Sequence, residues 1–290
     1  MIFKKDDKTE EKLPPEPQYY LSATNVPTYN YKVYYMSKKE KTIYSVIAFV
    51  IGAVIGYLFY GGIGKDDYGN PTILTWIFNI VIPGVVGFIF AKIFIPMRTK
   101  QIIDKQQRVL RKQFRDFLET ITTSLGAGNN VVSAFQSAHD DLGTQYDEDS
   151  YILKELKIIL DGLNNNIAIE DMLVDFGERS GVRDICNFAT VFQVCYRKGG
   201  NIRDVIAKTH AVISKKMEIN EEIETMVSGS KMNQYILLIM PVILITLIKT
   251  MSPEFAGNFV TPTGIASTTV AIGCFIGAYL FGQKIMNIKL

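Results

Sequence analysis

Residues 42–60 read TIYSVIAFVIGAVIGYLFY, and this run decides the fold class. No charged side chain occurs from Thr42 to Gly64. A helix crossing ~30 Å of hydrocarbon needs about 20 apolar residues. Three more uncharged stretches meet that need: Thr72–Ala91, Met232–Ile248 and Gly264–Gly282. The third is the shortest, and it uses the polar flank Lys231–Gln234 and Lys249 at its ends. One such stretch is compatible with a buried core helix. Four of them predict an integral membrane protein with four transmembrane helices, although the average composition of the 290 residues is that of a soluble protein.

The basic residues orient the spans. Lys32, Lys38, Lys39 and Lys41 precede the first span. Arg98, Lys100, Lys105, Arg108, Arg111 and Lys112 follow the second, and Lys284 and Lys289 follow the fourth. The loop Gly61–Asn70 carries only Lys65, beside Asp66 and Asp67. The loop Lys249–Thr263 carries only Lys249, with Glu254. Basic flanks stay in the cytoplasm. The pattern therefore predicts a multi-pass protein of the inner (cytoplasmic) membrane with both termini inside. The first 41 residues are polar and lack the apolar core of a cleavable signal, so the first span is expected to act as an uncleaved anchor. The chain divides into a polar N-terminal segment (1–41), a span hairpin (42–95), a cytoplasmic domain (96–231) and a second span hairpin with a short tail (232–290).

The domain between the hairpins reads as an all-α, six-helix bundle. Phe114, Phe117, Leu118, Ile121 and Leu125 recur at helical spacing. Gly126-Ala127-Gly128 ends that helix, and Asn130 caps the next, Val131–Leu142. Ile152, Leu156, Ile159 and Leu160 mark a third helix, which Gly162 is expected to stop. Ile169, Met172, Leu173 and Phe176 mark a fourth, with Glu170 and Asp171 at the positive end of its dipole. Ile185, Phe188, Ala189 and Phe192 mark a fifth. Gly199-Gly200 breaks the chain, and Asn201 caps a long sixth helix, with Asp204 placed as in a capping box. Short loops between amphipathic helices favour an antiparallel bundle.

Little in the chain suggests covalent chemistry. Lys198-Gly199-Gly200-Asn201 has glycines and a lysine but follows a helix, so it reads as a turn and cap, not a phosphate loop. His139 beside Asp140 and Asp141 reads as a solvated surface, and His210 as a half-buried structural residue; neither predicts a metal. Cys186, Cys195 and Cys274 have no disulfide or zinc spacing. No Asp, Glu, His or Arg lies inside a span, which argues against an ion or small-molecule transporter. The short outward loops argue against a sensor or scaffold reading an external signal. No enzyme, cofactor or nucleic-acid partner is expected.

Two patterns remain as candidate contacts. Gly52 with Gly56, and Gly273 with Gly277, are G-x-x-x-G pairs that let helices approach closely, within the chain or between copies. The run containing Arg98, Lys105, Arg108, Arg111, Lys112 and Arg115 fits anionic lipid or a partner protein.

A resemblance draws these pieces together. It runs along Phe114-Arg115-Asp116-Phe117-Leu118, Ser124-Leu125-Gly126-Ala127-Gly128, Ala134-Phe135, Gly162, Ile169-Glu170-Asp171-Met172-Leu173 and Gly199-Gly200-Asn201-Ile202. It continues through Pro241, Ser252-Pro253-Glu254-Phe255 and Thr263-Gly264. In order and spacing the chain resembles the type II secretion F family, on the TadB-like branch of tight-adherence (Flp) pilus machines; TadC-like sister proteins share that fold. The chain departs at Ala168, where the family has a capping serine, and Asn164–Asn166 are expected to cap instead. The first 41 residues match nothing in the family. The resemblance implies a non-enzymatic membrane platform whose partners are a cytoplasmic secretion ATPase, a TadC-like platform protein, pilin subunits and further copies in the bilayer. It makes the turns at Gly126, Gly128 and Asn130, at Gly162, and at Gly199, Gly200 and Asn201 the candidate coupling points.

Overall fold

A computed structural model describes residues 16–21, 26–64, 71–251 and 257–286. Lys65, Asp66 and Asp67, the Ser252–Phe255 motif and Lys289 lie outside them. The elements run β1 (Tyr19–Leu21), β2 (Pro27–Tyr29), α1 (Lys38–Tyr60), α2 (Ile73–Gly126), α3 (Val131–Gln145), α4 (Tyr151–Asn164), α5 (Ile169–Ser180), α6 (Arg183–Lys198), α7 (Ile202–Met251) and α8 (Pro262–Met286). Among the described residues the fold is helical but for one antiparallel pair of short strands, in which Tyr19 faces Tyr29. That pair lies in the N-terminal segment, where sequence patterning gave no strand signal.

Four helices, α1, α2, α7 and α8, are long and apolar enough to cross a membrane. Pro83 and Pro96 lie inside α2 and Pro241 inside α7, all within helix. Ser37 and Glu40 form a capping box at the start of α1.

Two compact units can be told apart. One takes the described residues up to Tyr35 together with Ile103–His210. The other takes Met36–Ile102 and Ala211 onward. The chain passes from one to the other within α2 and α7 and just before α1. The first unit thus gathers the N-terminal segment, set apart in the sequence reading, with the middle of the chain.

In this helical unit the apolar periodicity is realised as a core. Phe114, Phe117, Leu118 and Ile121 of α2 are buried. So are Phe135 of α3, Leu156 of α4, Phe176 of α5, and Phe188 and Phe192 of α6. Phe114 meets Phe188 edge-on at 5.4 Å between centroids, and Phe117 meets Phe135 at 5.2 Å. Such pairs add to the burial of their area. Helices α5 and α6 touch where Gly177 lies; a Cβ there would stand 3.1 Å from the Cβ of Ala189. The left-handed Gly181 (φ 65°) closes α5.

The other unit packs differently. A Cβ on Gly52 would stand 2.8 Å from Phe90 Cβ, and one on Gly56 would stand 3.1 Å from Pro83 Cα. The first G-x-x-x-G pair is thus the contact between α1 and α2. A Cβ added at Gly273 or Gly277 would meet nothing within 4 Å among the described residues outside its own helix turn, so none of them packs against the second pair. Lys249 donates from Nζ to the carbonyls of Leu58 (2.7 Å) and Phe59 (3.3 Å). A cation there suits the negative pole at the end of α1. Gln234 donates to the Tyr279 carbonyl at 3.0 Å, joining α7 to α8.

Candidate functional site

The helical unit brings together the two turns singled out in the sequence. Helix α2 ends at Gly126, and Gly128 takes φ 91°. Asn130 Oδ1 then accepts the Ser133 amide at 2.8 Å, capping α3. In the second turn Gly199 is left-handed (φ 72°), and the Gly200 amide donates to the Cys195 carbonyl at 2.7 Å. Asn201 Oδ1 accepts the Asp204 amide at 3.2 Å. The Asp204 carboxylate pairs with Lys208 at 2.8 Å. Arg203 Nη2 donates to the Gly126 carbonyl at 3.3 Å, so the start of α7 is tied to the end of α2.

Of the two glycines in the second turn, Gly199 is the left-handed one; a Cβ at Gly200 would meet Cys195 only at 3.4 Å, an ordinary contact. Two sequence expectations are corrected here. Gly162 does not stop α4, which runs on to Asn164 with Gly162 buried inside it. Asn164–Asn166 do not cap α5. They end α4: Asn165 donates from its amide and its side chain to the Asp161 carbonyl, and Asn166 takes φ 61°. Ala168 occupies the N-cap of α5 with no side-chain bond. Glu170 and Asp171 do more there than face the dipole. They accept from Arg197 of α6 at 3.2 and 2.6 Å.

The basic run is divided by its partners. Arg111 Nε lies 3.6 Å from Asp184 of α6, and Arg115 holds Asp116 at 2.7 Å. Asp116 also accepts the Tyr146 hydroxyl. Burial first, and that bond second, push the Tyr146 phenol up to about 12. Lys105, Arg108 and Lys112 are exposed. Arg98 stands over the Tyr44 ring at 5.5 Å and donates to Gln101.

The most elaborate polar site went unread in the sequence. Arg179 of α5 and Glu155 of α4 are both buried and joined by two bonds, Nη1 to Oε1 at 2.9 Å and Nη2 to Oε2 at 2.7 Å. Arg179 Nε also donates to Asp175 at 2.8 Å. Burial alone would lower the guanidinium pKa, but the carboxylates outweigh it and hold the pKa above its ordinary value. Into this pair runs the N-terminal segment. Tyr31 is 1% exposed and donates from its hydroxyl to Glu155 Oε1 at 3.0 Å. Burial and that carboxylate hold the Tyr31 phenol well above its usual range. The Tyr31 amide donates to the Arg179 carbonyl at 2.9 Å, while Arg179 Nη1 donates to the Tyr29 carbonyl at 3.0 Å. Gln107 reaches the Tyr31 carbonyl and Gln106 the Tyr29 hydroxyl, each at 3.3 Å. Rings of Tyr19, Tyr29, Tyr31 and Tyr151 meet edge to face in sequence. Asn30 is buried as well, its amide bonded to the Gln18 carbonyl at 2.9 Å. The one signal available earlier was the tyrosine-rich Tyr29–Tyr35 stretch, with no partner to read it against. The chain matches no protein-family model, no curated protein and no solved structure.

Proposed function

We propose that this chain is a non-enzymatic platform protein of the inner membrane in a type II secretion or tight-adherence pilus machine, coupling a cytoplasmic ATPase to pilin extraction and filament assembly. The reading takes the helical unit as cytoplasmic and its partners as the ATPase, a TadC-like platform protein, pilin subunits, lipid and further copies. What supports it is one observation with the motif order behind it. Two glycine turns far apart in sequence converge through Arg203 and the Gly126 carbonyl at 3.3 Å, in a helical unit whose chain continues into long apolar helices. Force applied there has helices to travel along, α2 and α7, and no bond needs to be made or broken. Lys105, Arg108 and Lys112 then offer exposed positive charge to an acidic partner surface or to anionic lipid.

Deleting the gene and assaying surface filaments tests the proposal. Loss of filaments, restored by the wild-type gene, is the expected result. Normal filaments with no second platform gene, or ATP turnover by the purified chain alone, would overturn it. Orientation has its own test in a background without Cys186, Cys195 and Cys274. Asn258→Cys should label with an impermeant thiol reagent in intact cells, and Asp147→Cys only after lysis.

A further inference from the structure

We infer that the helical unit contains a peptide-receptor site, occupied in cis by the extended segment around Tyr29–Tyr31, and that this occupant opens as a clasp separately from the helices that hold it. The site recognises main chain and one side chain. Arg179 takes both a donor and an acceptor role along the segment, bonding the Tyr29 carbonyl and the Tyr31 amide, and Gln107 takes the Tyr31 carbonyl. Those bonds accept any extended peptide. Selection comes from the buried Glu155 carboxylate, which meets the Tyr31 hydroxyl at 3.0 Å, and from the Tyr151 ring, edge-on to Tyr31 at 5.4 Å. A phenylalanine would fill the space and leave the carboxylate one donor short. The ligand class is therefore an extended peptide with a tyrosine at the central pocket.

Separate opening follows from how the receptor balances without its occupant. Glu155 keeps both bonds to Arg179, and Arg179 keeps Asp175, when Tyr31 leaves. No buried charge is stranded, and water can replace one hydroxyl. The aromatic core is also continuous without the segment, since Phe114 touches Phe117, Phe176 and Phe188 directly. Apart from Tyr31, the buried residues Thr28 and Asn30 bond within the segment itself, to the Tyr20, Pro17 and Gln18 carbonyls, its strands are three residues long, and Tyr19, Leu21 and Val26 are exposed. Regions with few buried contacts open below the free energy of global unfolding. Residues 32–36 join the clasp to Ser37, which caps α1.

Hydrogen exchange on the full-length chain in lipid nanodiscs tests the opening. Amides of residues 26–35 should exchange at least about tenfold faster than the core amides of α5 and α6. Tyr31→Phe should speed them by a further factor of about ten while leaving α5 and α6 unchanged. Exchange of 26–35 in step with α5 and α6, in both proteins, would make the segment a core element and overturn the clasp. A fluorescein-labelled synthetic peptide of residues 16–35 tests the receptor. It should bind saturably to full-length Tyr31→Ala, not to the wild type, and about tenfold more weakly when the peptide itself carries Tyr31→Phe. No binding by a Tyr31→Ala protein of wild-type helicity, or equal binding of a scrambled peptide, would overturn it. If Tyr31→Ala fails to fold, the exchange measurement on wild type and Tyr31→Phe decides alone.

Discussion

Helix α1 and the helical unit bury opposite kinds of residue. In α1 the buried positions are Ala48, Gly52 and Gly56, while Ile43, Val46, Ile47, Val50 and Val54 are exposed. In the helical unit the buried positions are phenylalanines, with leucines, isoleucines and a salt bridge, and the lysines stay outside. The difference teaches which solvent each region is built for. Against water, large apolar side chains gain by being hidden. Against lipid tails they gain nothing, and close helix contact comes from small residues that let backbones meet. The inverted pattern in α1 is independent support for the membrane reading, because apolar length alone does not say which face is covered.

Substitution can break this comparison, and the largest effects are expected in the water-built region. Arg179→Ala strands the Glu155 carboxylate in the interior and should cost about 3–5 kcal/mol. Replacing both partners with leucine or methionine should recover much of that loss. Thermal unfolding of the full-length protein in nanodiscs reads both, and a double variant no better than the single one would show that the pair does more than balance charge.

Phe117→Ala and Ile47→Ala sharpen the contrast directly. The first empties a core position and should cost about 3–5 kcal/mol. The second trims a lipid-facing side chain and should stay within about 0.5 kcal/mol. Equal losses would mean that the exposed face of α1 is covered by protein.

Gly52→Leu has the reverse logic, adding bulk where Phe90 Cβ leaves no space. Overpacking of this kind costs about 1–3 kcal/mol. The same change at Gly273, with nothing within 4 Å, should be tolerated in the monomer. A crosslinking yield between copies that drops with Gly273→Leu alone would assign that pair to an intermolecular contact.

A smaller effect is expected at the turns. Gly199→Ala forces a Cβ into φ 72° and should cost about 1 kcal/mol, whereas Gly200→Ala should cost less. Smallest is the pH response of Tyr146. Its folded pKa is raised to about 12, so the bond to Asp116 contributes fully below the ordinary phenol value near 10 and is lost as pH rises from there toward 12. Tyr146→Phe should flatten the fall in stability across that window, measured by denaturant titration at each pH.

Local features were the most legible. The helices with strong periodicity, the caps Asn130 and Asn201, and the apolar length of four helices are written in residues three to twenty positions apart. One feature left open is equally local but depends on one torsion. Gly199 and Gly200 are chemically identical, and only the path of the chain decides which takes positive φ. At Gly162 a helix-weakening residue was overruled by packing, since the buried glycine sits within α4.

By itself, the sequence determined the apolar length of the spans, the aromatic core positions and the caps at Asn130 and Asn201, because hydrophobicity and capping act on neighbours along the chain. It held no sign that Tyr31 would meet Glu155, 124 positions on, or that Arg203 would reach Gly126, 77 positions back. Those contacts, the close approach at Gly52 and the open face at Gly273 were decided by tertiary structure alone. A hydrogen bond or a van der Waals contact depends on ångström distances in space, and these are set only once every helix has found its neighbours.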